Sequence, residues 1–344
     1  MGTEGEESFP LEMRRLDEKE QAEVSKDIEG GFMKHCFRVG PQGYFFSDPF
    51  EPLIPQIYNL ELRADDVFIA TFPKAGTTWT QELVWLVANE LDYDTAKRVP
   101  LTVRCPFLEF SVFSHNDVGQ ALIKQACEVD KTKCEIAKNL KKNGIEVANE
   151  LPSPRFIKTH QPFSLLPPDL LEKTKVVYTA RDPRDVVVSY YHHQKFMPIY
   201  GYKGEFKDFW KLFKKDMLDW TPFFSHFREA WELRNHPNLL FLFYEELSKD
   251  MPGVIRRVAK FLDKTVTEEQ ISGLCEHLKF ENFRKNKSVN YEVLGELGFI
   301  KKGEHFVRKG KTGGWREYFD EEMTKEAEAW MEEGLKGIDF KFKL

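Results

Sequence analysis

"DVFIATFPKAGTTWTQELVWLVANEL", residues 66–91, decides the fold. Val67 to Phe72 is a run of apolar, strand-forming residues that ends at Pro73, and an apolar pattern of helical period starts at about Thr77. Between them lie Lys74, Ala75 and Gly76, followed by Thr77 and Thr78. A buried strand, a tight turn and a helix N-terminus make a phosphate-binding arrangement. Gly76 admits the backbone close to a ligand, the first helical N–H groups are free, and the threonines add hydroxyls. The Walker A spelling puts its lysine after the second glycine, whereas Lys74 precedes the only glycine here. The loop reads as a tighter anion cradle with no evident pair of magnesium ligands.

Three further apolar runs have the length of strands: 155–160, 175–180 and 238–245. At least three of the four runs lead into helical patterns, in "TTWTQELVWLVANEL", "DPRDVVVSYYHHQ" and "EELSKDMPGVIRRVAKFL". Buried strands alternating with helices predict an α/β fold, a single domain over 1–344 with a central parallel sheet flanked by helices. Residues 111–154 read as an excursion with some helix, placed over the sheet; 284–314 read as irregular. Either stretch is a ligand cover or a surface connection.

The composition narrows the function. With 344 residues, 41% hydrophobic and 31% charged, the chain has ordinary globular material for a large core, rich in aromatics with 30 Phe. A formal net charge of −6 argues against nucleic acid as a partner. No apolar run reaches membrane-spanning length. The acidic "MGTEGEESFP" start lacks a signal pattern, and Glu6 breaks the myristoylation motif, so a cytoplasmic location is expected. Five scattered cysteines without a C-x-x-C pair read as reduced thiols, and no metal site is expected.

In an open α/β sheet, ligands sit beyond the carboxyl ends of the strands. This chain places four features there. "PKAGTTW" follows the first run. In "ARDPRDVVVSYY", Asp182 and Pro183 suit a helix start, Arg181 stands at the strand end where it can take a phosphate in bidentate fashion, and Ser189 lies two turns on. Taken alone, it reads equally as a capped helix with a salt-bridged arginine. "RKGKTGGW" (308–315) joins Arg308, Lys309 and Lys311 to three glycines, a local positive basin in an acidic protein. In "RFIKTH", Lys158 and His160 are two apart on a strand and so share a face. The lysine charge favours the neutral imidazole, which can then act as a general base.

Together these motifs resemble the cytosolic sulfotransferase family, which moves a sulfuryl group from 3′-phosphoadenosine 5′-phosphosulfate (PAPS). The resemblance covers almost the whole chain and is strongest to insect members, retinol dehydratase of moths among them. It implies a fold like that of the P-loop nucleoside kinases, an insertion or lid at about 111–154, and a C-terminal cofactor loop at about 284–316. It also implies roles. Lys74 neutralises the leaving phosphate, while Ala75, Gly76, Thr77 and Thr78 form the 5′ loop. Arg181, Ser189 and Arg308 hold the 3′-phosphate with Lys309 and Gly310. Trp79 and Phe280 sandwich the adenine, with Tyr244 nearby. His160 takes the acceptor proton, and Lys158 stabilises the developing charge. PAPS is the co-substrate, 3′,5′-bisphosphoadenosine the product, and no metal is implied.

The chain also departs from the family pattern. Ala75 stands where Ser is common, and Leu278 where Thr is common. Gly314 and Arg316 replace an Asp and a Lys. "REYFDEEMTKE" does not match the family's dimerisation segment, so its usual dimer is not carried over. The interval from Lys74 to Lys158 is longer than in vertebrate members, with the extra residues in 111–154.

Phe107 and Phe110 match acceptor-pocket positions and, with Lys158 and His160, predict a dry aromatic site for a small hydrophobic phenol, alcohol, steroid or retinoid-like compound. Phe113, Phe163, Tyr190 and Trp85 are further candidates, each with core packing as its default. The expected activity is sulfation of that acceptor. Its rivals are dehydration of a retinoid alcohol through a transient sulfate, silent binding of nucleotide or hydrophobic ligand, and magnesium-dependent nucleoside phosphorylation.

Overall fold

The computed structural model describes residues 9–29, 32–114, 117–340 and 342, and among them two sheets form. The first is antiparallel, β1 (Met13–Arg15), β2 (Cys36–Val39) and β3 (Tyr44–Ser47) in that order. The second holds β4 (Val67–Ala70), β5 (Phe156–Thr159), β6 (Lys175–Ala180) and β7 (Leu239–Phe243), in the order β5-β4-β6-β7. All three pairings in it are parallel, as the apolar runs predicted.

β4 is buried on both faces because its side chains alternate between two cores. Phe68 and Ala70 join the large aromatic core with Ile157 and Tyr178. Val67 and Ile69 join a second core with Leu83, Val84, Leu86 and Val87 of the Thr77–Ala88 helix. The chain leaves β4 for β5 on one side, then returns for β6 on the other. This order reversal opens a crevice at the carboxyl end of β4, where the chemistry was expected.

The antiparallel sheet was not anticipated. Its strands are three or four residues long, and β3 is buried throughout, so it shows no alternation to read. It nevertheless bears on the site. Phe45 on β3 exchanges backbone hydrogen bonds with Trp220 and Thr221, at 2.9 and 2.8 Å, and so fixes the loop that carries Trp220.

The 111–154 excursion is mostly helical: Asp117–Val129, Lys131–Asn139 and Gly144–Glu150. The first of these packs on the Phe110–Ser114 and Pro198–Tyr200 turns. Residues 284–314 are largely irregular, with a short helix at Glu292–Glu296. One expectation fails. Cys127 and Cys134 form a disulfide, so not all five thiols are free. Asp130 accepts from the Lys133 N–H at 2.8 Å and caps the second helix of a hairpin, which brings the two cysteines together; their spacing alone does not reveal the hairpin.

Candidate active site

One cavity, of about 210 Å³, receives every residue to which the family resemblance assigns a role except Ala75. Ala75 is only 1% exposed and packs into the large core behind the loop. The others come from stretches far apart in sequence, and the carboxyl ends of β4, β5, β6 and β7 bring them together with the segments around Phe107, Phe280 and Arg308.

The phosphate loop is backbone-defined. Gly76 caps the helix with φ +103°, and a Cβ there would lie 2.5 Å from Tyr244 Cδ2. Lys74 also has a left-handed φ, +67°. Tyr244 is a gauge of closeness on two sides: its ring touches Gly76 and lies 4.2 Å from the Arg181 guanidinium carbon. Arg181 donates to the Lys74 and Lys311 carbonyls at 3.2 and 3.0 Å, tying the N-terminal loop to the C-terminal one. Its buried Nε has no partner among the described residues.

The C-terminal loop closes over the same end. Gly310 has φ +61°, and a Cβ there would come within 2.1 Å of the Phe280 ring. Trp79 is held by a 3.0 Å hydrogen bond from Nε1 to the carbonyl of Leu278, two residues before Phe280. Asp185 anchors the loop's far side, accepting from Gly313 N at 2.6 Å and Trp315 N at 3.0 Å.

At the other end, "CPFLEF" runs beside β5. Leu108 N donates to the Lys158 carbonyl at 3.0 Å and Lys158 N to the Pro106 carbonyl at 2.9 Å, which places Phe107 against Lys158. Lys158 and His160 both face the cavity, whereas Thr159 between them points away and donates to Glu109 Oε1 at 2.8 Å. The same oxygen accepts the His160 N–H at 2.8 Å. His160 Nδ1 lies 2.8 Å from the Thr71 carbonyl. A carbonyl only accepts, so Nδ1 carries the proton and Nε2 keeps its lone pair.

Burial and like charge set the protonation states. His160 is held well below the usual imidazole range, first by burial and then by Lys158, and so is neutral. Burial lowers Lys158 to about 8. It lowers Lys74 to about 7, with Lys158, Arg181 and Arg308 adding repulsion. The Lys74 Nζ sits 4.1 Å from the Phe306 ring centre and the Lys158 Nζ 3.9 Å from that of Phe107. Burial also raises Glu109 to about 7.

The acceptor candidates divide. Phe107, Phe110, Phe113 and Tyr190 line the cavity, while Phe163 and Trp85 do not; Trp85 lies under Arg104 in the second core. Sequence reading missed Thr71, Glu109 and Asp185, and the wall residues Tyr200, Trp220, Tyr291 and Phe306. Among the described residues no group of three or more His, Cys, Asp and Glu could hold a metal ion.

A nucleotide with two phosphate groups fits these residues: two loops that exclude even a methyl group, an unpaired arginine nitrogen, and a ring of cations. The sulfotransferase domain model matches residues 64–339. The chain is 35% identical over 329 residues to luciferin sulfotransferase of Photinus pyralis, covering 92% of this chain and 84% of that one. It is 33% identical to sulfotransferase 1B1 of Mus musculus, covering 83% and 88%. A crystal structure of retinol dehydratase with retinol and PAP superposes with a TM-score of 0.89 at 41% identity, covering 97% and 99%. Another, with androsterone and PAP, gives 0.87 at 40% identity, covering 97% and 98%. The chain belongs to the sulfotransferase family, and its activity is that of a PAPS-dependent transferase.

Proposed function

We propose that this cavity transfers a sulfuryl group from PAPS to the hydroxyl of a small hydrophobic acceptor, with His160 as general base. The observation that carries this reading is the His160–Thr71 hydrogen bond, which fixes a neutral imidazole with its basic nitrogen free beside Lys158.

PAPS supplies the group to be transferred; the chain's residues hold and orient. Gly76, Thr77 and Thr78 present N–H groups and hydroxyls to the 5′ end. Arg181, Ser189, Arg308, Lys309 and Gly310 take the 3′-phosphate. Trp79 and Phe280 grip the adenine, with Tyr244 close by. His160 Nε2 accepts the acceptor's hydroxyl proton, while Lys158 and Lys74 stabilise negative charge as it forms and leaves. Phe107 and Phe110 keep water out of the acceptor end. We read 111–154 as a lid on one domain, because Phe113, Ser114 and Leu140 reach the cavity wall. No helix among the described residues is long and apolar enough to cross a membrane. The reading carries a cytoplasmic location, where the exposed Cys127 would meet the cellular thiol pool.

A second reading is dehydration of a retinoid alcohol, in which sulfate is formed and lost. The 40–41% identity to retinol dehydratase over nearly the whole chain favours it. Incubation with PAPS and a panel of phenols, steroids and retinol, followed by product mass, separates the two. A persistent product heavier by one sulfate supports sulfation; a product lighter by one water supports dehydration. Consumption of ATP with magnesium, and none of PAPS, would refute both.

A further inference from the structure

The residues read as holding the 3′-phosphate come from two separate pieces of chain. Arg181 and Ser189 belong to β6 and the Pro183–Phe196 helix, and Arg308 and Lys309 belong to the irregular C-terminal loop. Something must hold the loop to the helix at the right spacing. Asp185 does so at the loop's glycine end. At the arginine end the contact is Tyr318, whose hydroxyl lies 2.6 Å from His192 Nε2. His192 stands one turn beyond Ser189 on the same helix.

Tyr318 also meets two of the loop's cations. Arg308 Nη1 donates to its hydroxyl at 3.5 Å, and Lys309 Nζ lies 5.9 Å from its ring centre. The direction of the bonds follows from chemistry. A guanidinium only donates, so the tyrosine oxygen accepts from Arg308, and its own proton is free to go to His192 when Nε2 is the unprotonated ring nitrogen. That needs a neutral imidazole with Nε2 unprotonated. Burial, with Arg308 and Lys309 nearby, keeps His192 neutral by lowering it to about 4. The Tyr318 ring packs edge-on against His192 and Phe206, both with centroids 5.3 Å away, so its direction is fixed.

We propose that Tyr318 and His192 are positioning residues that set Arg308 and Lys309 opposite Ser189, and so build the enzyme's discrimination for a 3′-phosphorylated adenylate. Neither lines the cavity. The inference rests on the PAPS reading above, because it takes the anion between these groups to be the 3′-phosphate.

The test is a titration of 3′,5′-bisphosphoadenosine and of adenosine 5′-phosphate into the full chain, wild type and variants. The Tyr318→Phe variant keeps the ring and loses only the hydroxyl. Its affinity for the bisphosphate should fall by about three- to tenfold, as for one hydrogen-bond relay, with adenosine 5′-phosphate affinity unchanged. His192→Phe should give the same selective loss, and the double variant should be no worse than either single one, since one relay is broken. Equal losses for both nucleotides would show a merely structural role and overturn the proposal, as would unchanged affinities or additive losses. A wild-type enzyme with no preference for the bisphosphate would instead overturn the placement of the 3′-phosphate itself. That failure is visible before any variant is made.

Discussion

At the cofactor end of the cavity two glycines leave no room for a methyl group, whereas at the acceptor end the walls are phenyl rings packed against one another. Gly76 and Gly310 are pinned by positive φ and by the rings of Tyr244 and Phe280. Phe107, Phe110 and Phe113 pack with centroids 6.0 to 6.3 Å apart, an arrangement that another apolar side chain of similar volume can replace. Backbone contacts that must meet an invariant nucleotide tolerate nothing; side-chain contacts that shape a pocket tolerate exchange. Specificity for the acceptor can drift while the donor site stays fixed.

The sharpest way to break this comparison is at the point where the two ends meet. His160→Ala should lower kcat by about 10²–10⁴-fold while calorimetric affinity for 3′,5′-bisphosphoadenosine stays near normal. Turnover retained within tenfold would remove the general-base assignment. Gly76→Ala should weaken that nucleotide by roughly 10- to 100-fold through backbone strain and the clash with Tyr244. An unperturbed affinity would mean that the loop is not backbone-defined. Next comes pH. Lys74 and Lys158 are lowered to about 7 and about 8, so their charged forms disappear as pH rises through that window. The profile of kcat/KM should fall there, and that of kcat should fall at higher pH, because a bound polyanion favours protonated lysines. Coincident limbs would contradict it. Smallest is Phe110→Leu, for which acceptor KM should change by roughly threefold with KM for PAPS unmoved.

The same contrast explains what could be read in advance. The four parallel strands were legible because each is a bounded apolar run. Lys74, Arg181, His160 and Arg308 were legible because each follows such a run or sits among glycines. Glu109 was not, since a carboxylate inside "CPFLEF" carries no local sign that it will bind the His160 backbone. Asp185 is a first-turn acid of its helix, yet its partners lie in the C-terminal loop. Tyr318 sits in an acidic stretch that read only as a missing dimer segment. Trp220 reaches the cavity through a sheet whose short buried strands have no period. Each of these depends on a partner far along the chain, and long-range pairing is what a single sequence shows least.

The phenylalanine rings under Lys74 and Lys158 have one more consequence. Among the described residues no carboxylate lies within ion-pair distance of either ammonium, and both rest on neutral faces instead. Arg181 and Arg308 add repulsion at Lys74, whereas Glu109 acts on Lys158 in the opposite sense and Asp185 lies 4.0 Å from Arg181. On the proposed reading, a bound polyanion would relieve the repulsion at Lys74, and at that ammonium no ion-paired acid among the described residues would have to be displaced.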